Sequence, residues 1–125
     1  MATWFSVGAG GALGAIARHA LNHLIHQRLF TATFPYGVFA ANVLGSVLIG
    51  MLTGLVAGGR VQVGPSARLF LVVGLFGGFT TFSSFSLDTL ALVRDGHPAQ
   101  AALNVIGQVG LGLAGVFAGY RLASG

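Results

Sequence analysis

Apolar residues run almost without relief through four stretches of this chain, at about residues 3–24, 36–57, 69–93 and 99–122. A helix needs about 20 apolar residues to cross bilayer hydrocarbon. The pattern therefore predicts four transmembrane helices with short connections, an all-α membrane protein forming one domain over residues 1–125. The punctuation fits. A loop reaching to about Phe34 carries Arg28, and Pro35 opens the second span. The loop from Gly59 to Ala67 holds Arg60, Gly64 and Pro65, with Arg68 at the next boundary. Arg94-Asp95-Gly96-His97-Pro98 reads as a tight turn, glycine ending one helix and proline starting the next. Ala15-Ile16-Ala17 imitates a signal-peptide cleavage site, but no basic segment precedes it and Arg18 follows at once, so the first span reads as retained.

Small residues recur every fourth position within these stretches: Gly10 and Gly14; Ser46, Gly50, Gly54 and Gly58; Gly115 and Gly119. In lipid, where no hydrophobic drive brings helices together, such stripes let backbones approach closely. The third span breaks the pattern at its midpoint, near Thr81. Gly77-Gly78-Phe79-Thr80-Thr81-Phe82-Ser83-Ser84-Phe85-Ser86 sets two glycines and a block of hydroxyls among phenylalanines at 76, 79, 82 and 85. Irregular or polar backbone at that depth is tolerated only against protein or a water-filled cavity. The block reads as the lining of a permeation path, with the rings as its walls; simple core packing is the blander account of four phenylalanines three apart.

Composition sharpens the picture. The chain is 54% hydrophobic and 6% charged, with mean hydropathy +0.85, whereas a soluble domain is about a quarter charged. It contains no cysteine, so disulfides and thiolate metal sites are excluded. The net charge of +4 comes from six arginines against Asp88 and Asp95. The arginines are single and scattered, which argues against nucleic acid as a partner. With four spans, one side collects Arg60, Arg68 and Arg121 and the other Arg18, Arg28 and Arg94, so the positive-inside rule gives no orientation. A chain that inserts both ways and pairs antiparallel accounts for that balance, since four glycine-rich helices can hardly enclose a polar path alone.

Polar residues inside the spans are the candidate chemistry. Asn42 carries amide donors that an anion can use, or serves as interhelical glue. Asn104 and Gln108 lie four apart and make a second polar track on the fourth span. Arg18 is either a snorkelling interfacial arginine or a positive charge at the mouth of an anion path. His19, His23 and His26 share a face at metal-ligand spacing, but no carboxylate or cysteine accompanies them, and they read as interfacial. Tyr120 and Arg121 form an interfacial anchor. Asp88, one to two turns beyond the hydroxyl block, faces a vestibule or caps a partner helix.

Gly10-Gly11-Ala12-Leu13-Gly14-Ala15 with Arg18, Gly37 followed by Ala40-Ala41-Asn42, and above all the Gly77–Ser86 block resemble the Fluc/CrcB fluoride channels of microbes. The resemblance covers the first three spans and implies a dual-topology antiparallel homodimer in the cell membrane, with two fluoride pores at its interface. It implies a broken third helix and a structural sodium ion at the dimer centre, held by the carbonyls of Gly77 and Thr80. Phe82 and Phe85 match the pore phenylalanines and Asn42 the pore amide, with Thr81, Ser83 and Ser84 in the hydroxyl-rich part. Val38 stands where family members often carry threonine. Asn104, Gln108 and Gly112 replace the tyrosine and serines common on the fourth span. Fluoride holds water strongly, so a pore must offer donors in its place, and aromatic edges are electropositive.

Two other classes compete. A small proton-coupled multidrug exporter shares the size and dual topology, but needs a membrane-embedded carboxylate in its first span. That span has none, and the chain has no glutamate. A passive scaffold explains the glycine stripes and leaves the hydroxyl block without purpose. The lack of cysteine, of a Ser-His-Asp pattern and of paired carboxylates argues against an enzyme.

Overall fold

The computed structural model describes residues 2–28 and 33–125. It is all-helical, with no strand among the described residues. Helix α1 spans Ala2–Arg28, α2 Tyr36–Ala57 and α6 Pro98–Ser124. Between α2 and α6 the chain forms α3 (Pro65–Arg68), a π-helical stretch over Leu69–Phe76, α4 (Gly77–Phe79) and α5 (Phe82–Arg94). The second span has the bounds its sequence pattern predicts. The first runs four residues past its expected end at residue 24, which puts Arg28 in the last helical turn and not in a loop. The rest of that expected loop lies largely outside the described residues.

Three helical segments are long and apolar enough to cross a membrane: Tyr36–Ala57, Pro65–Arg94 and Pro98–Ser124. Helix α1 matches them in length, but Arg18 and the polar run His19, Asn22, His23, His26, Gln27 and Arg28 dilute its apolar character.

The helices pair through their small residues. A methyl group built on Gly10 would meet the carbonyl of Phe70, and one on Gly14 the carbonyl of Leu75, so α1 lies directly on the π-helical backbone. On α2, Gly50 abuts Val116 and Gly54 abuts Tyr120, while Gly119 of α6 returns the contact to Val47 and Met51. These stripes are used up inside the chain and mark no surface for a partner. The interior is correspondingly thin, with Ala41, Leu92, Ala101 and Ala123 as its buried apolar residues and Asn104 and Gln108 as its buried polar ones. Bulky apolar side chains point outward instead: Ile106 is 70% and Leu122 80% exposed. Such a surface would aggregate in water and is at ease in lipid.

Candidate functional site

Thr80 and Thr81 join α4 to α5 in extended conformation (φ −99°, ψ 152° and φ −152°, ψ 125°). β-Branching suits both threonines to that geometry. Leaving the helix frees backbone groups that must find partners in a region without water. The Thr81 N–H, which in a continuous helix would serve the Gly77 carbonyl, donates to Asn42 Oδ1 at 2.8 Å. Asn42 Nδ2 donates back to the Thr81 carbonyl at 3.1 Å. One side-chain amide thus pairs with both backbone groups of the extended residue. Thr81 Oγ1 caps α5 by accepting from the Ser84 N–H at 3.3 Å. Arg18 reaches across from α1, donating through Nε to the Gly78 carbonyl at 3.2 Å and through Nη1 to Ser84 Oγ at 3.5 Å. It is half-buried and straddles the join, bonded on both sides of it.

The Gly77 and Thr80 carbonyls receive no hydrogen bond among the described residues, because their helical donors have gone to Asn42 and to Thr81 Oγ1. Both residues line a cavity of about 330 Å³ together with Asn42, Ser46, Thr81, Gln108 and the rings of Phe76, Phe82 and Phe85. The Phe82 and Phe85 rings stand 5.5 Å apart at 56°, and Phe82 is 79% exposed at the open side. Phe79, in phase by sequence, lies against Gly45 instead.

The expected site residues divide accordingly. Asn42, Thr81, Phe82, Phe85, Gln108, Gly77 and Thr80 come together around the cavity. Ser83 is exposed and pairs with Thr81 Oγ1 at 3.1 Å, and Ser84 is turned towards Arg18. Asn104 is fully buried behind Gln108, from which it accepts at 2.9 Å. Asn42 also gives its nitrogen to Gln108 Oε1 at 2.6 Å, so its donors are held by protein partners. Thr89, which the sequence pattern does not single out, accepts from Asn104 at 3.0 Å; its one signal is its place a turn beyond Phe85. Asp88 borders a second, 180 Å³ cavity with Thr33, Asp95 and His97, and its Oδ2 has no partner among the described residues. His19, His23 and His26 are exposed, with His23 Nε2 3.1 Å from the Gln27 amide, and no cluster of metal-ligating groups occurs among the described residues.

An outward-facing apolar surface around a polar, aromatic cavity defines a multi-pass helical membrane protein. The profile described as CrcB-like protein, Camphor Resistance (CrcB), matches residues 5–120, and the chain belongs to that family. It is 45% identical to the fluoride-specific ion channel FluC of Opitutus terrae, over 100% of this chain and 95% of the relative. It is 48% identical to fluoride-specific ion channel FluC 2 of Nitrobacter hamburgensis, over 90% of each. Against FluC of Thermus thermophilus the identity is 45%, over 98% of this chain and 95% of that protein.

Proposed function

We propose that this chain is a fluoride-selective passive channel of the cell membrane, and that two copies in opposite orientation form two pores at their interface. The observation that carries the reading is the cavity at the α4–α5 join, where side-chain amides, hydroxyls, bare backbone carbonyls and phenylalanine rings converge inside an otherwise apolar helix pack. Four membrane crossings follow if α1 spans with the others and Pro65–Arg94 crosses as one helix broken at Thr80 and Thr81. The open side of the cavity and the unpaired carbonyls of Gly77 and Thr80 cannot face lipid, where each free polar group costs several kcal/mol, roughly. A second copy covers them.

Within that frame the two sides of the join attract opposite charges. The N-terminus of α5 presents N–H groups, Thr81 a hydroxyl and Gln108 an amide, all suited to a fluoride that has shed water. Phe82 and Phe85 supply electropositive edges while excluding bulk water. Asn42 holds Thr81 extended and borders the same path, while Asn104 backs Gln108 from behind and Ser83 and Ser84 brace Thr81 and Arg18 beside it. The free carbonyls of Gly77 and Thr80 suit a small hard cation, and four such groups from two chains fit the structural sodium ion; it would neutralise acceptors that otherwise stay bare. Arg18, bridging the join, adds positive charge on the approach. An inside-negative membrane drives fluoride outward by about 2.3 kcal/mol per 100 mV, so no energy-coupling site is needed.

The test is anion efflux from liposomes containing the purified protein alone. Fluoride should leave rapidly and chloride at the protein-free rate; equal rates for the two anions, or no fluoride efflux, would refute the proposal.

A further inference from the structure

The side-chain amides of α2 and α6 form a relay whose direction the backbone fixes at both ends. The Thr81 N–H can only donate, and it gives its hydrogen to Asn42 Oδ1 at 2.8 Å. Asn42 must therefore turn its nitrogen to α6, where it donates to Gln108 Oε1 at 2.6 Å. Gln108 Nε2 donates to Asn104 Oδ1 at 2.9 Å, and Asn104 Nδ2 to Thr89 Oγ1 at 3.0 Å. The Thr89 hydroxyl hydrogen ends on the Phe85 carbonyl, which can only accept, at 2.8 Å. Reversing any one amide would set donor against donor and acceptor against acceptor. That happens where Asn104 is fully buried and Gln108 is 7% exposed, so water cannot repair the fault.

The relay has a polarity with chemical consequences. Each of the three amide oxygens is occupied by a donor of the chain, while Gln108 and Asn104 each keep one N–H without a partner among the described residues. Gln108 borders the cavity beside Phe82 and Phe85; Asn104 and Thr89 do not.

We infer that Asn104 and Thr89 are positioning residues that hold Gln108 with its spare N–H, and not its carbonyl oxygen, available to an anion in the cavity. This rests on the fluoride-channel reading and names the device by which the path tells an anion from a cation. A turned Gln108 would offer the ion an oxygen and repel it.

The test compares near-isosteric changes at Thr89, outside the cavity. Thr89→Val keeps the volume and removes the relay's end; Thr89→Ser keeps the hydroxyl and loses a methyl. Fluoride efflux from liposomes should fall about tenfold in Thr89→Val, the scale of one buried hydrogen bond lost, and stay within about twofold in Thr89→Ser. A packing role predicts the reverse order, because valine fills the space and serine does not. Asn104→Leu should behave as Thr89→Val. Gln108→Glu, which retains an acceptor for Asn42 and removes the spare N–H, should abolish fluoride passage. Wild-type rates in Thr89→Val, or serine slower than valine, overturn the relay alone. A wild-type protein that passes no fluoride overturns the channel reading, and the relay's role with it.

Discussion

Asn42 and the two phenylalanines at 82 and 85 carry different burdens, and substitution separates them. Phe82→Ile and Phe85→Ile keep apolar bulk and lose the electropositive ring edge. Fluoride efflux should drop by at least about tenfold in each, the loss of roughly 1.4 kcal/mol or more of stabilisation for the ion, while the protein elutes as the wild type does in size-exclusion chromatography. Wild-type efflux in both variants would return the rings to a packing role. Asn42→Leu is a structural injury instead. It strands the Thr81 N–H and carbonyl and the Gln108 oxygen, each at a cost of about 1–3 kcal/mol when buried. The midpoint of thermal unfolding in detergent should fall with it, and an unshifted midpoint would show that Thr81 finds other partners.

At the scale of elements, the glycines of α1 are opposite in effect, along the line that the four-residue spacing of Gly10 and Gly14 draws. Gly10 and Gly14 touch the backbone of the π-helical stretch, whereas nothing lies within 4 Å of a methyl group built on Gly8 or Gly11. Gly14→Val must push α1 off Leu75 and should cost at least about 1–3 kcal/mol through overpacking. Gly8→Ala meets no neighbour and should raise stability by up to about 1 kcal/mol, because alanine is the better helix former. Thermal unfolding of the two variants in one detergent checks the sign. Equal shifts would mean that α1 does not lie on the π-helical backbone as closely as the structure has it.

For the whole molecule, Gly77 tests the proposed assembly of two chains. A methyl group there comes no nearer than 3.7 Å to the Val72 carbonyl, and the residue is exposed. Gly77→Leu should therefore leave the helical content intact and break the pair, read as a halved mass in detergent by light scattering. A dimer of wild-type mass would place the partner elsewhere. The arginines divide evenly between the two sides in the proposed topology, so two lysines added at one end should force a single orientation. Fluoride efflux should then vanish unless an oppositely biased copy is co-expressed.

The sequence by itself determined the solvent, the helical class and the bounds of α2, because hydropathy, proline and glycine act locally and need no partner. It also located the polar block, since hydroxyls flanking a glycine pair stand out in an apolar run. Tertiary structure decided which face of each helix is buried: helices apolar nearly all round carry little periodic signal to choose one. Hence Gly10 is set apart from Gly8 only by its spacing to Gly14, and Phe82 from Phe79 only by the family resemblance; what each one touches is not written along the chain. The partners of the α4–α5 join came from far away in sequence, Arg18 from α1, Asn42 from α2, and Gln108 and Asn104 from α6 behind it. Only folding brings those groups within reach of backbone that has left its helix, and the need to satisfy that backbone where there is no water is what fixes the direction of every amide in the site.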